Sequence, residues 1–243
     1  NIHVVDVNPD ALAALTKKFG VTTAAAADSK IAAADVIVLA VKPQQMQEVV
    51  ATIKPHVKQQ LVLSIAAGIR AADLSRWLGN HGAIVRSMPN TPALIGLGIT
   101  GLAALPAVSA AQKEMAEAIM RAVGQTVWLQ DETKIDAVTA ISGSGPAYVF
   151  YFLEAMQEAA LELGLTAEQG KQLALATFAG ATELAAQSDE SVEILRERVT
   201  SKGGTTFAAL AAMEGSGVRH GIVNALHAAA KRGKELGEEF GQQ

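Results

Sequence analysis

The segment IHVVDVNPDALAALTKKFG, residues 2–20, decides the fold that we expect for this chain. Its first six residues form an apolar run of strand length, which is followed by Asn8 as a helix cap and Pro9 as a first helical residue. The Ala- and Leu-periodic segment from Asp10 to Phe19 then ends at Gly20, a residue that commonly terminates helices. The segment therefore predicts one βα unit of an α/β domain.

The same alternation of strand and helix continues to about residue 130. Further apolar runs of strand length are VIVLAV (36–41), LVLSIA (61–66), AIVR (83–86), GITGLAA (98–104) and TVWL (126–129). The segments between them predict helices at 44–53, 71–78 and 109–123. We therefore expect residues 1–130 to form a dinucleotide-binding, Rossmann-like, mostly parallel α/β sheet with helices on both faces.

The strand pattern stops after about residue 130. Residues 131–243 are rich in Ala, Leu, Glu and Gln, which predicts an all-α C-terminal domain. A helical domain with many small residues and few aromatic ones can bury its apolar faces against a second copy. We expect a helical substrate-binding and dimerisation domain, and the alternative is a self-contained bundle.

The composition limits the class of partner. The chain has 243 residues, of which 50% are hydrophobic, and 20 Lys and Arg against 24 Asp and Glu give a net charge of −4. Without a basic cluster, no nucleic acid or anionic membrane is expected as a partner. The longest uncharged stretch, residues 87–112, is interrupted by Pro and Gly, and no signal peptide opens the chain. The chain has no cysteine, which fits a cytoplasmic protein that binds a small molecule.

Asp6 stands at the end of the first predicted strand. In dinucleotide-binding sheets an acidic residue at the end of the second strand accepts hydrogen bonds from the adenosine ribose. If Asp6 has this role, the first strand and its glycine-rich turn would lie upstream of Asn1. The alternative is that Asp6 is a turn residue before Asn8 and Pro9.

Polar and small residues follow three later strands. Lys42 and Pro43 come after VIVLAV, Ala66–Gly68 after LVLSI, and Asn90 after AIVR. Ligands of open α/β sheets bind at this edge, although each residue could also be an ordinary loop group. The only stretch with dinucleotide-type glycine spacing, GLGITG (96–101), is expected to form a turn into a strand, because no helix is predicted directly after it.

Two unusual breaks interrupt the helical half. In VTSKGGTTF (199–207), paired glycines and two threonines lead into a helix that we expect to begin near Phe207, which is typical of an anion site at a helix N-terminus. The alternative is that Thr205 or Thr206 caps that helix. In ISGSGPAY (141–148), Ser144 is expected as a helix cap and Pro146 as the first helical residue. The histidines lack metal-ligand spacing, so no metal is expected.

Four motifs together carry a resemblance to a known family. VKPQ (41–44), RSMPNTPA (86–93), ISGSGPAYVF (141–150) and VTSKGGTT (199–206) occur in this order, and the chain resembles pyrroline-5-carboxylate reductase over essentially its whole length. The resemblance implies an oxidoreductase that reduces 1-pyrroline-5-carboxylate to L-proline with NAD(P)H, the last step of proline biosynthesis. It also implies a homodimer through the helical domain, with a higher ring of dimers as a further assembly.

The resemblance also implies the site residues. Cofactor contacts are expected at Asp6, Val7, Asn8, Val41, Lys42, Pro43, Gln44, Ala66, Ala67, Gly68 and Asn90. The substrate is a small cyclic imine acid, and its carboxylate group is expected to bind at Ser201, Gly203, Gly204, Thr205 and Thr206. Thr206 is also expected to be the catalytic residue, which contacts the ring nitrogen.

Three features of the sequence depart from the family pattern. The glycine-rich turn is not among residues 1–243, and Lys202 stands where the family commonly has proline. Val7 stands where members that prefer NADP tend to carry arginine, so either NADP(H) or NAD(H) is expected, with a weak preference for NADH. The alternatives are a β-hydroxyacid-dehydrogenase-like oxidoreductase and an inactive dimerising fragment that lacks the cofactor turn.

Overall fold

The computed structural model describes residues 1–242, which form two compact units. The first unit contains Asn1–Gly143 together with the C-terminal segment from Ala229, and the second contains Ser144–Ala228. The strands are β1 His3–Val5, β2 Thr22–Ala24, β3 Val36–Leu39, β4 Leu61–Ser64, β5 Ile84–Met88, β6 Gly98–Ala104 and β7 Gly124–Trp128. The α-helices are α1 Pro9–Phe19, α2 Met46–Ile53, α3 Ala71–Trp77, α4 Ala110–Arg121, α5 Ile135–Val138, α6 Gly145–Glu162, α7 Ala167–Ala186, α8 Val192–Arg198, α9 Thr205–Gly215 and α10 Val218–Gly241.

The strands form two hydrogen-bonded sheets in the first unit. One contains β1 and β2 in parallel, and the other has the order β3-β4-β5-β6-β7. Every pair in the larger sheet is parallel except β5 and β6. Residues 89–97 connect that pair, and this segment is shorter than the dozen or so residues that a parallel crossover needs. The prediction of a Rossmann-like, mostly parallel sheet followed by helices is confirmed.

The core of the larger sheet lies on both faces of β4, whose side chains are fully buried. Val62 packs in one cluster with residues of α2 and α3, including Val50 and Leu74. Leu61 and Leu63 pack in a second cluster with residues of α4, including Ala116. Because successive strand residues point to opposite faces, this continuous apolar run requires helices on both sides of the sheet.

Local capping signals place the first helix where the sequence predicts it. The Asn8 side chain accepts hydrogen bonds from the backbone N–H groups of Asp10 and Ala11, at 3.0 and 3.2 Å. Pro9 begins α1, and Gly20 ends it in the left-handed conformation with φ of 66°. The helix therefore begins and ends at residues whose chemistry fits those positions.

Two elements were not predicted from the sequence. The strand β2 has only three residues, and its parallel pairing with β1 is supported by a 2.9 Å hydrogen bond between the His3 ring and the Thr22 hydroxyl. Thr139–Gly143 forms a π-helix directly before α6. The pairing of β2 joins residues 19 positions apart, and the π-helix has no distinctive residue pattern, so hydrophobic periodicity reveals neither element.

The second unit exposes much apolar surface on its helices. Its exposed large apolar residues include Val149, Phe150, Tyr151, Leu161, Leu163, Leu173, Leu175, Leu184, Phe207 and Met213. Among residues 1–242, no helix combines the length and the apolar character that crossing a bilayer requires.

Candidate active site

Three neighbouring parallel strands bring most of the predicted cofactor residues to one edge of the larger sheet. In the strand register Leu39 of β3 pairs with Ser64 of β4, and Ser64 pairs with Arg86 of β5. The segments that follow these strands are Val41–Gln44, Ala66–Gly68 and the loop that contains Asn90. The carboxyl ends of parallel strands lie side by side, which is where ligands of such sheets bind.

The turn Ala66–Gly68 presents mainly backbone to this edge. The Ser64 hydroxyl accepts a hydrogen bond from the Ala66 N–H at 3.3 Å, and the Ser87 hydroxyl donates to the Ser64 carbonyl at 2.8 Å. Gly68 has φ of 74°, a conformation that residues with a Cβ rarely adopt. Gly68 and Ala66 are buried, so the left-handed glycine turns the chain sharply after β4 and leaves the partly exposed Ala67 as the most accessible residue of the turn.

Lys42 supplies positive charge beside that turn. It precedes a short 3₁₀ turn, Pro43–Gln45, which is closed by a hydrogen bond from the Gln45 N–H to the Lys42 carbonyl at 2.9 Å. The Lys42 side chain is exposed and makes no ion pair within the described residues 1–242. Its ammonium group is therefore available to a phosphate or a hydroxyl group of a ligand.

Asn90 is held by one side of its amide. Its Oδ1 accepts a hydrogen bond from the Ile99 N–H at 2.9 Å, which ties the loop after β5 to the second residue of β6. This bond orients the side chain and leaves Nδ2 able to donate. The segment GLGITG forms the predicted turn into a strand. Gly96 ends the short turn after Asn90, Gly98 and Gly101 belong to β6, and no helix follows Gly101 directly.

Asp6, Val7 and Asn8 lie after β1, in the smaller sheet. The Asp6 carboxylate accepts a hydrogen bond from the Asn8 N–H at 2.8 Å, so Asp6 has the turn role that the sequence left open. Its carboxylate is nevertheless exposed, as a ribose contact requires. The strand β1 is not hydrogen-bonded to β3, so these three residues do not belong to the same sheet edge as Lys42 and Gly68.

The segment Ser201–Thr206 lies in the second unit, at the start of α9. The helix begins at Thr205, so the expectation of a start near Phe207 is wrong by two residues. Gly204 is the N-cap residue and no side chain caps the helix, so neither Thr205 nor Thr206 has the capping role that the alternative gave them. The first N–H groups of a helix have no partner within it, and here they are left to a ligand or to water.

The glycines of this segment fold it into a tight turn. The Gly204 N–H donates to the Ser201 carbonyl at 3.0 Å, and Gly203 has φ of 74°. A Cβ on Gly204 would lie 2.6 Å from the Ser201 hydroxyl oxygen, so no larger residue fits there without rearrangement. The paired glycines therefore expose the amide groups at the beginning of α9.

The motif ISGSGPAY differs from its predicted geometry. Ser144 is at the N-cap position of α6 but makes no side-chain capping bond, and Pro146 is the second helical residue rather than the first, since α6 begins at Gly145. The π-helix before it ends at Gly143, where a Cβ would lie 2.5 Å from Met88 Cε. The glycine therefore allows this segment to pack closely on the end of β5.

Arg86 lies in the RSMPNTPA motif, but no role for it is predicted from the sequence. Arg86 is 4% exposed, and its guanidinium lies 3.0 Å from Glu132 Oε1 and 3.7 Å from Asp136 Oδ1. Glu132 Oε1 also accepts a hydrogen bond from the Ala71 N–H at the start of α3, at 2.7 Å. A charged residue within a buried apolar strand is the signal that could have revealed this ion-pair network.

Among residues 1–242 no group of three or more His, Asp or Glu side chains is arranged to hold a metal ion.

Comparison with known proteins identifies the family. Residues 132–236 match the family model for pyrroline-5-carboxylate reductase dimerisation, and residues 1–68 match that for NADP oxidoreductase, coenzyme F420-dependent. Pyrroline-5-carboxylate reductase of Pseudomonas aeruginosa is 45% identical over 242 residues, which is 99% of this chain and 89% of that protein. Pyrroline-5-carboxylate reductase 2 of Bacillus subtilis is 41% identical over 85% of this chain and 74% of that protein.

Solved structures agree with the sequence comparison. The pyrroline-5-carboxylate reductase of Coxiella burnetii has a TM-score of 0.90 at 43% identity, over 97% of this chain and 88% of that one. The Plasmodium falciparum enzyme, solved with NADP bound, has a TM-score of 0.87 at 31% identity, over 98% and 87%. This chain belongs to the pyrroline-5-carboxylate reductase family.

Proposed function

We propose that this chain reduces 1-pyrroline-5-carboxylate to L-proline with NAD(P)H, as an oxidoreductase of proline biosynthesis. The single observation that carries the substrate assignment is the beginning of α9, which has no side-chain cap and follows the paired glycines of a family motif. Uncapped helix amides bind small anions, and the substrate is a small carboxylate. The family membership supplies the reaction class.

A nicotinamide cofactor, when bound, supplies the hydride. The residues present fit such a group, because Ala66–Gly68 offers a turn with little side chain and Lys42 offers an unpaired positive charge. Asp6, Val7 and Asn8 are the proposed contacts to the adenosine ribose, and Asn90 Nδ2 is the proposed donor to the carboxamide. Val41, Pro43, Gln44, Ala66 and Ala67 complete the proposed contacts.

The N–H groups of Gly203, Thr205 and Thr206, with the Ser201 and Thr205 hydroxyls, are proposed to hold the substrate carboxylate, while the Gly204 N–H closes the turn on the Ser201 carbonyl. The Thr206 hydroxyl makes no hydrogen bond within the described residues, so it is free to donate to the ring nitrogen. Protonation of that nitrogen makes the imine carbon more electrophilic, and no covalent nucleophile is needed. Catalysis then consists mainly of positioning, with electrostatic stabilisation as a second contribution.

The helical domain, residues 131–243, is proposed to form a homodimer, and a ring of such dimers is the proposed higher assembly. The support is the match of residues 132–236 to a dimerisation family model and the apolar surface of α6 and α7. Residues 1–130 form the proposed dinucleotide-binding domain. A cytoplasmic location is supported by the absence of cysteine from the sequence.

The test is Thr206→Ala, assayed with 1-pyrroline-5-carboxylate and each dinucleotide. We expect kcat/KM to fall roughly 10- to 1000-fold, the scale of losing one oriented donor, with an unchanged unfolding temperature. Thr206→Ser keeps the hydroxyl and is expected to retain most of the activity.

Thr182→Ala is the matched control, because the Thr182 hydroxyl only donates to its own helix, to the Phe178 carbonyl at 2.8 Å. Unchanged kinetics in Thr206→Ala would remove Thr206 from the mechanism. Reduction of hydroxy-acid-derived ketones, with no reduction of 1-pyrroline-5-carboxylate by the unchanged protein, would favour a β-hydroxyacid-dehydrogenase-like reaction instead.

A further inference from the structure

We propose that the end of α10 holds the Ala66–Gly68 turn in the conformation that binds the dinucleotide, with Phe240 as a positioning residue. We call residues 233–241 the C-terminal strap. The proposal rests on the proposed function in one respect, namely that Ala66–Gly68 contacts the cofactor. The new element is that residues of the C-terminal strap, which do not contact the dinucleotide, influence the affinity of the protein for it.

The C-terminal strap is part of the first unit, and three glycines spaced four residues apart face residues 70–136 of that unit. A Cβ on Gly233 would lie 3.7 Å from Asp136 Oδ1, one on Gly237 3.1 Å from Arg70 Nε, and one on Gly241 2.7 Å from Asp73 Oδ2. Residues at this spacing share one face of a helix. Gly237 and Gly241 therefore allow the backbone of α10 to approach Arg70 and α3 more closely than larger residues would, whereas a Cβ at Gly233 would make only an ordinary contact with Asp136 of α5.

Apolar side chains of the C-terminal strap contact the Ala66–Gly68 turn. A Cβ on Gly68 would lie 3.2 Å from two atoms of the Phe240 ring and 3.3 Å from Leu236 Cβ. Phe240 also packs against the core cluster that contains Ala66 and Ile69. The ring is therefore in contact with the turn and with the core residues on either side of Gly68.

Polar contacts fix the end of the C-terminal strap in place. Arg76 Nη2 donates to the Gly241 carbonyl at 2.7 Å, while its Nη1 pairs with Asp73 Oδ1 at 2.9 Å. Arg70 Nη2 lies 3.7 Å from Glu238 Oε1. Arg76 thus satisfies a carbonyl that has no partner within the helix, which is the usual need at a helix C-terminus.

The physical reason for such support lies in Gly68. A glycine explores more backbone conformations than any other residue, and the value of 74° for φ is only one of them. The apparent Kd of a ligand equals its intrinsic Kd divided by the fraction of protein in the binding conformation. Contacts that hold the turn in that conformation therefore tighten binding without touching the ligand.

The experiment measures the Kd of the full-length protein for NADH and NADPH by nicotinamide fluorescence, alongside the unfolding temperature and the steady-state constants. For Phe240→Ala we expect the Kd to rise about tenfold, which corresponds to a binding-competent fraction of roughly one tenth. The kcat at saturating cofactor should change little, and Phe240→Leu should recover most of the affinity. Arg76→Gln removes the hydrogen bond from the exposed Arg76 side chain to the Gly241 carbonyl, and it should raise the Kd less than Phe240→Ala does.

Phe19→Ala is the matched control, because Phe19 is exposed on α1 and lies in neither the C-terminal strap nor the cofactor segments. A lowered unfolding temperature with an unchanged Kd in both Phe240→Ala and Arg76→Gln would show that the C-terminal strap only stabilises the fold, and would overturn the proposal. Failure of the unchanged protein to bind either dinucleotide would overturn the proposed function, and this proposal with it.

Discussion

Asp6 and Val7 are the residues on which the choice of dinucleotide depends. The hydrogen bond from the Asn8 N–H holds one carboxylate oxygen of Asp6 at the end of β1, and Val7 is 87% exposed. A carboxylate accepts hydrogen bonds from two ribose hydroxyls but repels a 2′-phosphate. A valine offers that phosphate no compensating charge, so we expect a weak preference for NADH.

Asp6→Ser combined with Val7→Arg is therefore expected to shift selectivity toward NADPH. Losing the repulsion and gaining a charge-assisted hydrogen bond should raise the NADPH-to-NADH ratio of kcat/KM about 10- to 100-fold. Steady-state kinetics with each dinucleotide measure the ratio. Val192→Arg, which adds the same charge to an exposed position of α8, should leave it unchanged. A strong preference of the unchanged protein for NADPH would contradict this interpretation of Asp6.

The buried Arg86 network joins β5, the start of α3 and the segment that leads into α5. Glu132→Ala would leave the Arg86 guanidinium with Asp136 alone and the Ala71 N–H without its acceptor. Breaking a buried ion pair by removing one partner is strongly destabilising. Because Glu132 is partly exposed, we expect a somewhat smaller loss, about 2–4 kcal/mol in the free energy of unfolding.

Chemical denaturation measures that loss. Glu235→Ala is the control, because it removes a carboxylate that pairs with Arg232 at the surface, where ion pairs contribute little. The interpretation would be wrong if the two variants had the same denaturation midpoint.

Glu117 on α4 connects that helix to β7 and gives the fold an acid-sensitive contact. A hydrogen bond from Trp128 Nε1 lowers the pKa of Glu117 most strongly, burial opposes this, and Thr126 and Arg121 lower the pKa further. A carboxyl group whose pKa is lower in the folded state stabilises the fold above its unfolded pKa. This contribution is lost as the pH falls through the folded pKa.

Glu117→Gln should therefore lower the unfolding temperature at about pH 7, and the difference from the unchanged protein should shrink below about pH 4. Thermal unfolding followed across this pH range provides the measurement. Glu114→Gln changes a carboxylate of the same helix and serves as the control. A difference that stays constant with pH would mean that packing, rather than the ionised carboxylate, accounts for the effect.

Elements with local signals could be predicted from the sequence, and those that depend on distant contacts could not. The cap at Asn8 placed α1, the helix predicted at 109–123 contains α4, and an apolar run gave β6 its observed bounds. Because the carboxyl ends of parallel strands lie at one edge of a sheet, the sequence predicted Lys42, Ala66–Gly68 and Asn90 at that edge. The Arg86 network and the contact of Phe240 with Gly68 each join residues far apart in the chain, and the π-helix at Thr139–Gly143 has no distinctive residue pattern. A single sequence offers no period or spacing that connects them.

The two units differ in how they bury apolar surface. The first has a continuous core around β4, whereas the helices of the second expose large side chains such as Phe150, Tyr151 and Leu173. A stable interface buries roughly 800 Å² on each partner, and a patch of exposed aromatic and aliphatic residues is the surface expected to supply it. The homodimer that we propose would complete the core of the helical unit.

Tyr151→Glu should weaken that dimer. Tyr151 is 74% exposed on α6, and burial of an aromatic side chain removes about 150–250 Å² from water, whereas a buried unpaired carboxylate is unfavourable. We therefore expect the dimer Kd to rise at least about 100-fold, a change that needs only roughly 3 kcal/mol. Sedimentation at several concentrations measures it. Phe19→Glu adds the same charge at an exposed aromatic of the first unit and should leave the Kd unchanged. Equal dissociation constants for the two variants would place the interface elsewhere than on α6.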